Sequence, residues 1–382
     1  MGISRTPLTR RGALTVGAGA VIGGLGLLSG TAKAATARTT PPGAAIAGLT
    51  PAQKAGQRVI FSYPGTTVPQ SLLDQIAAGE AGGVIFFGEN ITGDDQIAAV
   101  VAQLKDANNA SPVQSPLLIM TDQEGGIVRR LPGAPVDSEK TIGASSDPAA
   151  EAADAGTGAG QNLAGVGMDV NLAPVLDVYR QAGNFDDEFG RSYSSDPDVC
   201  AECGAAMITA QQNLGIVATA KHFPGLGAAT VDQNTDEAPV TLDVPLSDLR
   251  SIDEVPFTAA IAAGVRMVMA SWATYPALDA KYPSGLSSAI IQGELRRRLG
   301  FRGVTITDAL EAGAIAPFGT PAQCGVLAAQ AGMDVLLASN RDVSEGQDTV
   351  SAVAAALRDG TLNPGLSDVA LLRVLALRDS LG

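Results

Sequence analysis

GVTITD, residues 303–308, decides how this chain is read. It is a short run rich in β-branched residues, too short for a free-standing helix, opened by glycine and closed by a carboxylate. A helical stretch, SSAIIQGELRRRLG (287–300), precedes it. The same unit recurs on both sides. Apolar runs stand at RVIFSY (58–63), GVIFFG (83–88), LLIMTD (117–122), DVNLAPV (169–175), IVATAKH (216–222), VRMVMAS (265–271) and DVLLAS (334–339). Longer Ala/Leu-rich helical segments such as DDQIAAVVAQLKDAN (94–108) and SEGQDTVSAVAAALRDG (344–360) lie between them. Eight apolar strands alternating with helices predict an α/β fold of the (β/α)8 barrel type. An open doubly wound sheet is the competing architecture, but no G-x-G-x-x-G follows the first strand, which removes the best sign of its nucleotide-binding form.

The chain has 382 residues, 46% hydrophobic and 17% charged, enough for one large domain with a sizeable core. Its formal net charge of −14 argues against nucleic acid and anionic membrane surfaces as partners. Residues 1–34 read as a targeting segment. Arg10-Arg11 precede a mildly apolar stretch from Ala13 to Leu28, and Ala32-Lys33-Ala34 supplies small residues at cleavage spacing. The paired arginines match a twin-arginine-type signal, which exports folded proteins. About 16 apolar residues are short for a membrane span, which needs ~20. Removing Arg5, Arg10, Arg11 and Lys33 from the 25 basic residues leaves 21 against 39 acidic, a net charge of −18. Residues 35–48 form a Pro/Ala/Thr-rich mobile lead-in, and the barrel domain is expected over 49–382 with no second domain. Cys200 and Cys203 fall in DVCAECGAAMITAQQNLG (198–215), which reads as helix, so their expected role is small apolar packing rather than metal or redox chemistry.

In a barrel the chemistry sits on the loops at the carboxyl ends of the strands. Those ends here carry Asp122, Asp177, Lys221 with His222, and Asp308. Charges that follow buried apolar runs are unfavourable unless paired or used. A ring of Asp, Lys, His and Arg with no metal cluster and no phosphate loop suits a polyhydroxylated ligand. Hydrolysis of a glycoside needs one carboxylate as nucleophile and one proton donor nearby. Asp308 is the best-placed nucleophile.

These residues also carry a resemblance. GGVIFFGENI (82–91), TDQEGGIVRRLP (121–132), DVNLAPVLDV (169–178), FGRSYSSDP (189–197), KHFPGLG (221–227), YPSGLSS (282–288), LRRRLGFRGVTITDAL (295–310) and AGMDVLLAS (331–339) occur in the order found in glycoside hydrolase family 3. The chain resembles the single-barrel β-N-acetylhexosaminidase branch of that family from Leu49 to its final helix. The resemblance implies that Asp308 is the nucleophile of a covalent glycosyl-enzyme. It implies that Lys221 and His222 hydrogen-bond sugar hydroxyls, and that Asp122, Arg130 and Arg191 make further substrate contacts. It implies a terminal β-linked N-acetylglucosamine as the sugar, from cell-wall fragments or chitin oligomers outside the cytoplasm.

The chain departs from that branch at the proton donor. Where the branch carries Asp-Ser-His after KHFPGHG, this chain has Asp232-Gln233-Asn234, and Leu226 replaces the second histidine of the motif. Asparagine cannot donate and retrieve a proton at a useful pKa, and His222 is the chain's single histidine. Three readings follow. A carboxylate of the same loop carries the proton, with Asp236 favoured over Asp232 and Glu237 behind them. Or the enzyme works slowly, on leaving groups that need no protonation. Or the barrel binds glycans without catalysis. The altered loop also leaves room for β-glucosidase-type specificity. Trp272, at the end of the sixth strand, is either a stacking platform for a sugar or ordinary core. Aromatic residues make up 4% of the chain, few for a long polysaccharide cleft. No metal, nucleotide or redox cofactor is implied, and a monomer is expected.

Overall fold

The structure is a computed structural model that describes residues 46–381. The targeting segment expected over 1–34 and most of the lead-in lie outside the described residues. Eight strands follow in chain order: β1 (Val59–Phe61), β2 (Gly83–Phe86), β3 (Leu118–Thr121), β4 (Val170–Asn171), β5 (Val217–Phe223), β6 (Met267–Ala270), β7 (Val304–Ala309) and β8 (Val335–Leu337). Each pairs in parallel with its chain neighbours, and β8 returns to β1 with Val59 opposite Leu336. The sheet is therefore a closed barrel, and the open doubly wound sheet is excluded. Every strand falls on, or within one residue of, an apolar run read from the sequence.

A helix follows each strand: α1 (Gln70–Ala77), α2 (Asp94–Asn109), α3 (Pro148–Gly165), α4 (Pro197–Gln212), α5 (Val255–Ala262), α6 (Ala289–Arg298, wound with π-type bonds), α7 (Pro321–Ala331) and α8 (Val343–Asp359). Local signals place their ends. Thr320 and Gln323 form a reciprocal capping box at the start of α7, and Gly332 closes it in the left-handed conformation at φ 100°.

Strand periodicity divides the core. Ile60, Ile85, Leu118, Met120, Val170, Val217, Met267, Val304, Ile306 and Val335 pack inside the barrel. Their strand neighbours Val59, Phe61, Val84, Phe86 and Ile119 pack outward against the helices. A last helix, α9 (Pro364–Arg378), closes the amino-terminal end of the barrel, with Val374 and Leu377 joining the interior cluster. Arg378 is fully buried there and donates to the Ser115 carbonyl at 2.9 Å and to Pro116 and Gln57. Asp334, just before β8, is held between Arg296 at 2.5 Å and Arg373 at 2.6 Å. A buried charge persists where it is paired in this way. The open mouth lies at the opposite, carboxyl end.

Cys200 and Cys203 are free thiols in α4, buried beside Tyr193 and Met207. Trp272 is 1% exposed, its indole Nε1 donates to the Ala309 carbonyl at 2.7 Å, and it belongs to the core rather than to a stacking platform.

Candidate active site

The inward row of each strand runs straight into the mouth. Counting in twos from Leu118 and Met120 reaches Asp122; from Val217 and Thr219, Lys221; from Val304 and Ile306, Asp308. Odd strands β3, β5 and β7 therefore present charge in one layer. Even strands β2, β4, β6 and β8 end in Ile85, Leu172, Met269 and Leu337, which form the apolar floor of a cavity of about 390 Å³. Asp122, Arg130, Arg191, Lys221, His222, Asp236 and Asp308 all line it. His222 would face outward in a regular strand. The register of β5 against β6 shifts between Ala220 and Phe223, and this irregularity brings Lys221 and His222 to the same cavity.

Lys221 is 2% exposed, and its ammonium lies 2.8 Å from Asp122 and 2.6 Å from Glu124. Burial disfavours its charge, but Asp122 and Glu124 outweigh burial and raise its pKa. An ammonium has three donors, so one remains for a ligand. Arg191 grips Glu124 through two bonds of 2.9 Å each. Burial pushes the Glu124 carboxyl up, Arg191 and Lys221 pull it down, and the balance is about 2. His222 Nδ1 donates to Asp177 Oδ2 at 2.7 Å. Asp177 Oδ1 also accepts the Leu226 N–H at 2.6 Å, so one buried carboxylate holds both the ring and the turn that follows it. Burial lowers the His222 pKa, Asp177 raises it by more, and the net shift is upward. Arg130 takes its place through its main-chain N–H, which donates to Gln123 at 3.0 Å, while its Nε is buried without a partner among the described residues.

The loop after β5 carries the three candidate proton donors, and the structure separates them. Asn234 accepts the Asp236 N–H at 2.9 Å and donates to Glu237 at 3.2 Å, a local turn that keeps the asparagine side chain occupied. The Gly313 N–H donates to the Asp236 carbonyl at 2.8 Å, and the Ala314 N–H donates to the Thr235 carbonyl at 3.0 Å. These two main-chain bonds pin the loop to the segment that leaves β7 just after Asp308. Gly313 has to be glycine here, because a Cβ would stand 2.1 Å from the Glu237 carbonyl oxygen. Asp236 thereby lines the cavity from its rim, solvent-exposed on one side. Its carboxyl is raised, first by loss of solvent and then by the charge of Asp308. Asp232 and Glu237 are exposed and do not line the cavity.

Residues 54–377 match the glycosyl hydrolase family 3 N-terminal domain. The chain belongs to glycosyl hydrolase family 3. A protein of Arthroderma benhamiae described as an uncharacterized secreted glycosyl hydrolase is 47% identical over 332 residues, 86% of this chain and 94% of that one. The family 3 β-N-acetylglucosaminidase of Paenibacillus sp. FPU-7 superposes with a TM-score of 0.82 at 34% identity, over 87% of this chain. This chain spans only 62% of that enzyme. The β-N-acetylhexosaminidase of Beutenbergia cavernae superposes with a TM-score of 0.79 at 36% identity, covering 86% of this chain and 98% of that one.

The mouth of this family 3 glycosidase has two unlike halves. One half, from β3 to β5, is a web of cations and carboxylates whose unused donors face the cavity. The other half, at β7, offers Asp308, whose Oδ1 accepts the Ala309 N–H at 2.8 Å. Glu124 was not among the residues singled out from sequence. It sits in a short hairpin (Gln123–Gly125 with Val128–Arg129) whose glycines read as plain loop, and its partners lie far away in the chain. Glu311, Ser339 and Arg341 also line the cavity and carried no sequence signal of their own.

Proposed function

We propose that this protein is an exported, retaining glycosidase that releases a terminal β-linked N-acetylhexosamine. The observation that carries the reading is the presence of two unlike carboxyl groups in one blind cavity, Asp308 at the end of β7 and Asp236 on a loop pinned to the same segment. A carboxyl whose pKa is raised holds its proton longer than an ordinary one, as a general acid must. In the first step the Asp308 carboxylate attacks the anomeric carbon, the glycosidic C–O bond breaks, and Asp236 gives its proton to the departing oxygen. In the second, Asp236 takes a proton from water, the water oxygen attacks the same carbon, and Asp308 is released. Lys221, Arg130, Arg191, His222 and Asp122 bind the sugar hydroxyls. The barrel core closes the cavity from below, which supports a terminal sugar over an internal one. The named activities of the Paenibacillus and Beutenbergia enzymes support N-acetylhexosamine. The secreted description of the Arthroderma relative and the twin-arginine-type segment over 1–34 support export.

The test is hydrolysis of aryl β-N-acetylglucosaminides and β-glucosides by the unmutated protein, Asp308→Asn and Asp236→Asn. Turnover is expected to vanish in Asp308→Asn. In Asp236→Asn it is expected to fall by roughly 10²–10⁴-fold for a poor leaving group and far less for a nitrophenol that needs no proton. Equal loss for both leaving groups removes Asp236 from the proton-donor role. No turnover of either sugar by the unmutated protein, with saccharide binding intact, makes the barrel a glycan-binding protein.

A further inference from the structure

Three residues past Asp308, on the same segment leaving β7, Glu311 faces the cavity. Ser339, at the end of β8, also lines the cavity, and its Oγ lies 2.9 and 3.2 Å from the two Glu311 carboxylate oxygens. Behind Glu311, in the first turn of α8, is Glu345, 8% exposed. Its Oε2 accepts the Asn340 N–H at 2.9 Å, while its Oε1 is buried with no donor among the described residues. Ser339 and Asn340 are chain neighbours, and the bonds they give hold the two glutamate carboxyls near one another, each pushed up first by burial. Two ionised carboxylates held near one another repel, and neither can donate, so a proton on one of the pair is favoured. A proton on Glu345, donated to Glu311, satisfies the orphaned oxygen and leaves Glu311 an anion aimed at the cavity.

The position of Glu311 limits what it can meet. A nucleophile at Asp308 bonds to the anomeric carbon. That carbon has two ring neighbours, the ring oxygen and C2. The ring oxygen has no hydrogen to give. The C2 substituent has one, on nitrogen in an N-acetylhexosamine and on oxygen in a hexose. The C2 substituent is thus the hydrogen-bearing group nearest the anomeric carbon, and the first that an acceptor near the nucleophile can meet.

We propose that Glu311 is the residue that reads the C2 substituent of the bound sugar, accepting its N–H or O–H, and that Glu345 is a positioning residue that holds Glu311 by donating to it. The proposal rests on the glycosidase reading above and adds the group that sets sugar specificity. Other charges around the pair are Asp308 on β7, Asp342 at the cap of α8 and Arg341 on the cavity wall. Burial and then Glu311 push the Glu345 carboxyl up to about 8, which agrees with a proton held there at neutral pH.

The experiment compares aryl β-glycosides that share a leaving group and differ at C2: N-acetylamino, hydroxyl and hydrogen. Glu311→Gln is expected to lower kcat/KM roughly 10- to 100-fold for the first two and under about threefold for the 2-deoxy sugar, the loss tracking a hydrogen bond to a charged acceptor. An equal loss on all three overturns the proposal, since a purely structural role acts on every sugar alike. In the unmutated protein the preference for the N-acetyl over the 2-deoxy sugar is expected to fall as pH rises through about 8, where Glu345 loses its proton. Glu345→Gln, whose amide donates at every pH, is expected to abolish that fall, and the same fall in both proteins overturns the positioning role. If the unmutated protein hydrolyses none of the three, the glycosidase reading has failed on its own. The Glu311 contact is then judged by binding. N-acetylglucosamine should raise Tm more than 2-deoxyglucose does, and Glu311→Gln should erase the difference. Equal shifts from the two sugars in the unmutated protein overturn it.

Discussion

Glu124→Gln removes the one carboxylate that bonds two of the cations lining the cavity. Glu124 is 2% exposed and holds Arg191 at 2.9 Å and Lys221 at 2.6 Å. Burial raises its pKa, and the two cations more than reverse that, down to about 2. The interval between its ordinary 4.5 and about 2 corresponds to roughly 3 kcal/mol of stability. That falls at the lower edge of the ~3–5 kcal/mol for breaking a buried ion pair by removing one partner. The folded pKa is depressed, so the contribution is fully present above pH 4.5 and is lost as pH falls toward about 2. Urea unfolding should therefore show Glu124→Gln weaker than the unmutated protein by about 3 kcal/mol at pH 7 and by about 1 kcal/mol at pH 3. KM should rise as well, because Arg191 and Lys221 lose their common anchor. A stability gap of the same size at both pH values, or one under about 1 kcal/mol at pH 7, would refute the reasoning.

Two further substitutions probe the site from other sides. Gly313→Ala places a Cβ 2.1 Å from the Glu237 carbonyl oxygen and displaces the loop that carries Asp236. Circular dichroism should be unchanged while turnover of poor leaving groups falls roughly tenfold or more, and undiminished turnover would mean that the clamp does not position the donor. The chain has one histidine, so its ring titration can be followed by NMR without overlap. In the unmutated protein His222 should titrate above its ordinary 6.5, its bond to Asp177 stabilising the fold below that pH and losing this effect as pH rises through the folded midpoint. In Asp177→Asn burial acts without the compensating charge, and the midpoint should fall below 6.5. An unmoved midpoint would detach the shift from Asp177.

The barrel was legible because each of its strands is buried on both faces and so reads as an unbroken apolar run. Asp122, Lys221 and Asp308 were legible for a related reason, since each extends an inward row by one more step of two. The rest depended on distance in the chain. Glu124 gains its meaning from Arg191 and Lys221, and Glu345 from Glu311, and no local pattern announces such a meeting. Asp236 was favoured over Asp232 from the sequence, but what brings it to the cavity was hidden there. Both are acids of one Gly-rich loop, and what sends Asp236 into the cavity is a pair of amides from Gly313 and Ala314 on a different loop. Trp272 shows the opposite limit, because a lone aromatic at a strand end has the same sequence signature whether it stacks on a sugar or fills the core.

The two amide bonds between the segment after β7 and the loop after β5 are made by peptide groups alone. The path of the loop at the cavity rim is thus specified separately from the side chains it carries there. The side chain of Asp236 can therefore be exchanged while these two main-chain bonds to the segment after Asp308 stay as they are.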